Sequence, residues 1–146
     1  MFKKILVPVD GSRHARHAVE TAIDVVKRYE SSVFLLHAIR NLSLPKEILE
    51  MIAAGEVNES RIEILQDSAE IILDSAKELL NNAGISDVQT EYVIGNPALK
   101  IAEYAEQNGI DLIVLGRRGL GPQGGLLGSV ARKLLNLTET ACLVVT

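Results

Sequence analysis

Five short runs of β-branched and apolar residues recur along this chain, each bounded by turn-forming residues: Ile5 to Val9, Ser32 to Ile39, Val88 to Ile94, Leu112 to Leu115 and Cys142 to Val145. Period and flanking residues identify them as strands. The gaps between most of them carry helical spacing instead. Ala15, Ala18, Val19, Ala22, Ile23, Val26 and Tyr29 repeat on one helix face behind Ser12, an N-cap residue. Ser60-Arg61-Ile62-Glu63 has the form of a capping box and opens a long helix through Leu65, Ala69, Ile72, Ala76 and Leu79 to Gly84. A third helix begins at Asn96-Pro97 and ends at Gly109, and a fourth runs from Gly128 to Leu137.

Strands that alternate with helices are parallel, because each crossover returns right-handed over the sheet. The expected fold is an α/β domain, an open doubly wound five-stranded parallel sheet with helices on both faces. A chain of 146 residues, 47% of them hydrophobic, is of ordinary size for one domain, so residues 1–146 are read as a single unit. The weakly patterned insert from Asn41 to Glu59 is read as a flap or a short extra helix from Pro45 to Ala53.

Composition narrows the function. A net charge of −4 and 3% aromatic residues argue against a nucleic-acid surface, which needs a basic stripe and stacking rings. No stretch reaches the roughly 18 apolar residues of a membrane span, and Pro8 and Asp10 interrupt the opening apolar run before it matches a secretory signal. The lone Cys142 offers no intramolecular disulfide. The expectation is a soluble cytoplasmic protein with no nucleic-acid or membrane partner.

Ligands of open α/β sheets sit beyond the carboxyl ends of the strands. Two such segments are unusual here. Strand one runs into Pro8-Val9-Asp10-Gly11-Ser12, and strand four into a connection holding Gly116, Gly119, Gly121, Gly124, Gly125 and Gly128, six of the eleven glycines. Uncovered backbone amides in such a loop, with the positive end of the helix at Gly128-Ser129, suit phosphate oxygens. Arg117 and Arg118 add positive charge beside it. The plainer alternative is a flexible connector with solvated arginines; the loop's place between a central strand and a helix favours the site. Asp10 has two readings: a turn-shaping or capping residue, or a carboxylate that accepts from a ligand amine or hydroxyl, or helps hold a cation with the phosphates.

The glycine connection resembles that of the universal stress protein family. ATP-binding members carry Gly-x2-Gly-x9-Gly-Ser/Thr, and Gly116-x2-Gly119 followed by Gly128-Ser129 is similar to it, with eight residues in place of nine. The shorter loop removes up to about 3.5 Å of reach. It fits a shorter phosphate chain, or closes on itself. Lys3 to Ser12, His37-Ala38-Ile39, Val93 to Ala98 and Asp111 to Gly116 are also family-like, so the resemblance covers nearly the whole chain.

The resemblance implies a Rossmann-like, adenine nucleotide alpha-hydrolase-like fold. It places Val9, Asp10 and Ile39, with Pro8 beside them, at adenine and ribose, and Gly116, Gly119, Gly128, Ser129 and Val130 at ribose and phosphates. The phosphate role of Arg117 and Arg118 rests on their charge alone. The implied ligand is ATP or AMP, with Mg or Mn an optional companion, and the implied activity is a nucleotide-loaded stress-response and signalling module. A slow metal-dependent ATP hydrolase and a dimeric interaction protein without nucleotide remain as alternatives.

Neither Ser12 nor Ser129 has a nucleophile context, and both read as helix caps, so no catalytic residue is assigned. His14 and His17 make a poor metal pair and read as solvent-exposed, His37 as a hydrogen-bonded structural histidine, and Cys142 as a buried hydrophobe. The apolar terminal run Ala141 to Val145 would leave an unpaired edge, which together with the resemblance implies a homodimer through that strand.

Overall fold

The computed structural model describes residues 1–40, 46–55, 59–119 and 127–146. Its elements run β1 (Lys4–Pro8), α1 (Arg13–Tyr29), β2 (Ser32–Ile39), α2 (Lys46–Ala53), α3 (Glu59–Asn82), β3 (Val88–Ile94), α4 (Pro97–Gln107), β4 (Leu112–Gly116), α5 (Ser129–Leu137) and β5 (Ala141–Val145). All five strands are parallel and lie in the order β3-β2-β1-β4-β5. The chain steps outward from β1 to β3, then crosses back to lay β4 on the other flank of β1. That reversal opens a crevice at the carboxyl ends of β1 and β4.

Period-two alternation sorts the strand side chains into two cores. Ile5, Val7, Val33, Leu35, Leu112 and Val114 face α1 and α3; Leu6, Phe34, Leu36, Ile113 and Leu115 face α4 and α5. Ile5, Leu6 and Val7 are fully buried, which is why β1 reads as a continuous apolar run rather than an alternating one. The expected doubly wound sheet, with helices on both faces, is the observed one.

Boundaries differ from expectation by a residue where backbone pairing outlasts the side-chain signal. Leu112 is in register with Ala141 and Gly116 with Val145, which adds Ala141 to β5 and Gly116 to β4. Pro8 closes β1, although the Val9 amide still donates to the Leu36 carbonyl at 2.9 Å. Helix α3 starts at Glu59, so Ser60 lies inside the helix and is not its N-cap. The insert does contain a helix, α2; residues 41–45 and 56–58 of it lie outside the described residues. Among the described residues no helix is long and apolar enough to cross a membrane.

The two sheet edges differ. The β3 edge exposes Gln89, Thr90 and Glu91 along its middle and Ile94 at its end, whereas β5 is apolar along its length and leaves Leu143 38% exposed.

Helix α1 packs tightly against the end of β4. A Cβ on Gly116 would lie 2.7 Å from the His14 carbonyl carbon and 2.9 Å from its oxygen, backbone atoms that cannot step aside. Glycine is therefore required here by packing. Gly116→Ala is expected to cost about 1–3 kcal/mol through overpacking, read as a lower urea midpoint with an unchanged m-value.

Candidate functional site

The β1 exit is a short hydrogen-bonded turn. Asp10 accepts the Ser12 amide on Oδ1 at 2.9 Å, Gly11 takes φ +83°, and the buried Ser12 accepts the Ala15 amide on Oγ at 3.1 Å. Ser12 caps α1; Asp10 shapes the turn ahead of it. The second carboxylate oxygen of Asp10 faces the glycine loop, since a Cβ on Gly119 would sit 2.5 Å from Oδ2.

The β4 exit is tied at its neck. The Arg117 amide donates to the Val145 carbonyl at 2.7 Å, and the Gly128 amide donates to the Arg117 carbonyl at 2.8 Å. Loop entry and loop exit are thus hydrogen-bonded to each other. Gly128 suits this contact: a Cβ there would meet the Arg118 Cα at 3.2 Å and the Arg117 oxygen at 3.3 Å. Residues 120–126, with Gly121, Gly124 and Gly125, lie outside the described residues.

Gly128 is also the N-cap of α5, with no side-chain cap bond, and Ser129 is the first helical residue. The expected capping role of Ser129 is therefore corrected: one residue into the helix, its hydroxyl is past the position that reaches the orphan amides. Ser129, Val130 and Ala131 form the first turn of α5 and line the space in front of it, where first-turn amides have no intrahelical acceptor.

These segments border one cleft of about 690 Å³. Pro8, Val9, Asp10, Ile39, Gly116, Arg117, Arg118, Gly119, Gly128, Ser129 and Val130, residues that are scattered over four stretches of sequence, all line it. So do residues that the sequence left unassigned, among them His37, Arg40, Ser68, Pro97 and Arg132. Ser68 and Arg132 sit within long and short helices whose sequences carry no ligand signal. Arg40 was readable as the residue following the second strand, an end that borders the crevice.

The lining is apolar at Val9, Leu36, Ile39, Ile101 and Leu115, and cationic at Arg40, Arg117, Arg118 and Arg132. Asp10 is the one carboxylate among the described lining residues. Arg132 reaches the Leu127 carbonyl at 3.4 Å, and Arg117 is half-buried with Nε shielded from solvent and unpartnered among the described residues. No group of three or more metal-ligating side chains occurs among the described residues.

His37 is hydrogen-bonded, as the sequence suggested: its Nδ1 lies 2.7 Å from the Val9 carbonyl. A carbonyl only accepts, so Nδ1 carries the proton. His14 differs from expectation. It is half-buried against Gly116, its Nδ1 is shielded and unpartnered, and burial, followed by the charges of Arg13, Arg117, Arg118 and His17, holds its pKa below 6.5. Cys142 is only partly buried, on the edge strand, and burial raises its thiol pKa.

The crevice at the switch point of a doubly wound sheet, bordered by the β1 and β4 exits and the N-terminus of α5, is that of a Rossmann-like α/β domain. The universal stress protein family model matches residues 1–146, and the chain belongs to that family. It is 32% identical over 149 residues to universal stress protein YxiE of Bacillus subtilis, covering 99% of both chains. It superposes on the structure of hypothetical protein MJ0577 with a TM-score of 0.81 at 29% identity, over 99% of this chain and 96% of that one. A universal stress protein solved in complex with cAMP matches with a TM-score of 0.69 at 26% identity, over 99% and 96% of the two chains.

The His14 environment sets a pH dependence. Below pH 6.5 the unfolded chain takes up a proton that the folded chain resists, so folding stability falls as pH drops through that value towards the lower folded pKa. A His14→Gln variant is expected to lose less stability than the parent between neutral pH and pH 5.5, measured by urea unfolding at each pH; parallel curves would contradict it.

Proposed function

We propose that this protein is an adenine-nucleotide-binding stress-response module that takes ATP or AMP in the cleft and acts as a homodimer. The observation that carries the reading is the convergence of the eleven residues on one cleft whose volume suits a small-molecule ligand. The apolar floor at Val9 and Ile39 accepts the base. The first-turn amides of α5, with Arg117 and Arg118, donate charge-assisted hydrogen bonds to phosphate oxygens. The relative solved with cAMP supports an adenine nucleotide as the ligand class.

Among the described lining residues Asp10 is the one carboxylate that could join a cation shared with the phosphates, and one of its oxygens already accepts the Ser12 amide. The arginines, rather than Mg or Mn, are the main counter-charge in this reading. Calorimetric titration with ATP, ADP and AMP is expected to give micromolar affinity that changes less than about threefold between magnesium and EDTA. Gly128→Val, which drives a branched side chain into the Arg117–Arg118 backbone, is expected to weaken binding at least tenfold, worth about 1.4 kcal/mol. Absence of saturable binding would favour a dimeric interaction protein whose loop is closed.

The dimer part of the reading rests on β5, an apolar edge strand whose free backbone groups are satisfied by pairing with a second copy. Light scattering at micromolar concentration is expected to give twice the chain mass for the parent and the chain mass for Leu143→Lys, which places a charge on that edge. A monomeric parent would contradict the dimer.

A further inference from the structure

The cleft has a second cationic end that the glycine loop does not account for. Arg40 follows β2, is exposed, lines the cleft, and is engaged by no hydrogen bond or ion pair among the described residues. Ser68 of α3, a helix packed on β2, lines the cleft as well and adds a hydroxyl. Arg117 and Arg118 lie beyond β4, on the far side of β1. Two strand spacings separate the ends of β2 and β4, about 10 Å. The end of β1 between them contributes the apolar Val9 and the carboxylate of Asp10, and no positive charge.

A ligand whose anionic groups all sit on one 5′ chain satisfies the loop end and leaves Arg40 facing neutral atoms. The anionic positions of a nucleotide away from its 5′ chain are the ribose 2′ and 3′ oxygens. We infer that the cleft selects nucleotides carrying a second phosphate on the ribose, free or within a phosphodiester, and that Arg40 is the residue that reads it. This rests on the nucleotide reading above. A planar guanidinium fork suits a phosphate bidentately, and one charge-assisted contact of this kind corresponds to about a tenfold gain in affinity.

The test is calorimetric titration of the full chain and of Arg40→Gln with AMP, ATP, adenosine 3′,5′-bisphosphate, adenosine 2′,5′-bisphosphate and the 5′-phosphorylated dinucleotide pApA. For the parent, at least one ribose-phosphorylated ligand is expected to bind about tenfold more tightly than AMP. In Arg40→Gln that ratio is expected to fall below about twofold, while the ATP to AMP ratio stays as in the parent. A preference for pApA would identify the phosphodiester as the form read, and a preference for a bisphosphate the free group. Equal affinity for AMP and every ribose-phosphorylated ligand overturns this inference and leaves the nucleotide reading standing. A preference that survives Arg40→Gln, or an ATP ratio that collapses with it, also overturns it. Failure of every adenine nucleotide to bind overturns both.

Discussion

A strand buried on both faces and paired on both edges has no solvent to satisfy any of its polar backbone, so β1 fixes what surrounds it. Ile5, Leu6 and Val7 are fully buried, with β2 and β4 in parallel register on either flank. Parallel pairing forces helical crossovers, and burial of both faces forces two helices to each side. The chain then leaves β1 at a point where neighbouring connections depart in opposite directions. The cleft is the space that this divergence leaves open, so its position follows from the core and does not depend on any ligand.

Two kinds of glycine serve this site, and they do so for different reasons. Gly116 makes room for the α1 backbone at His14, whereas Gly128 lets the entry and exit of the loop touch. Both bring main chain close to main chain. The same closeness concentrates amides and arginines at one end of a chain whose net charge is −4.

The sheet and its helices were legible because hydrophobic period and cap residues act locally. Ser12 and Asn96 cap α1 and α4 as read, each accepting an amide three residues on. Ser129 was misread because a serine at the first helical position looks like a cap when only the sequence is seen; the backbone shows that Gly128 occupies that place. The helix pattern of α1 ended correctly at Tyr29, but its left-handed cap carried no signal, since a non-glycine, Glu30, takes that conformation at φ +54°. At the site, the glycine connection and the β1 exit were readable because both carry turn chemistry next to a strand. Arg132 and Ser68 were not, since only packing turns those helix positions towards the cleft. The same holds for His14, whose shielded ring is set by its contact across α1 and β4 and by nothing in its neighbours along the chain.

The unlike edges of the sheet also carry a geometric consequence. Hydrogen-bonded strands can in principle recruit further strands without limit, which is how fibrils grow. Here one border is flanked by Gln89, Thr90 and Glu91 and the other by Leu143 and its apolar neighbours. A second molecule meeting the apolar border by a two-fold rotation would turn its β3 border outward, so both ends of the enlarged sheet would carry Gln89, Thr90 and Glu91. Further growth would then need a different contact, one between β3 borders, so an assembly that uses the β5 border alone would close at two copies.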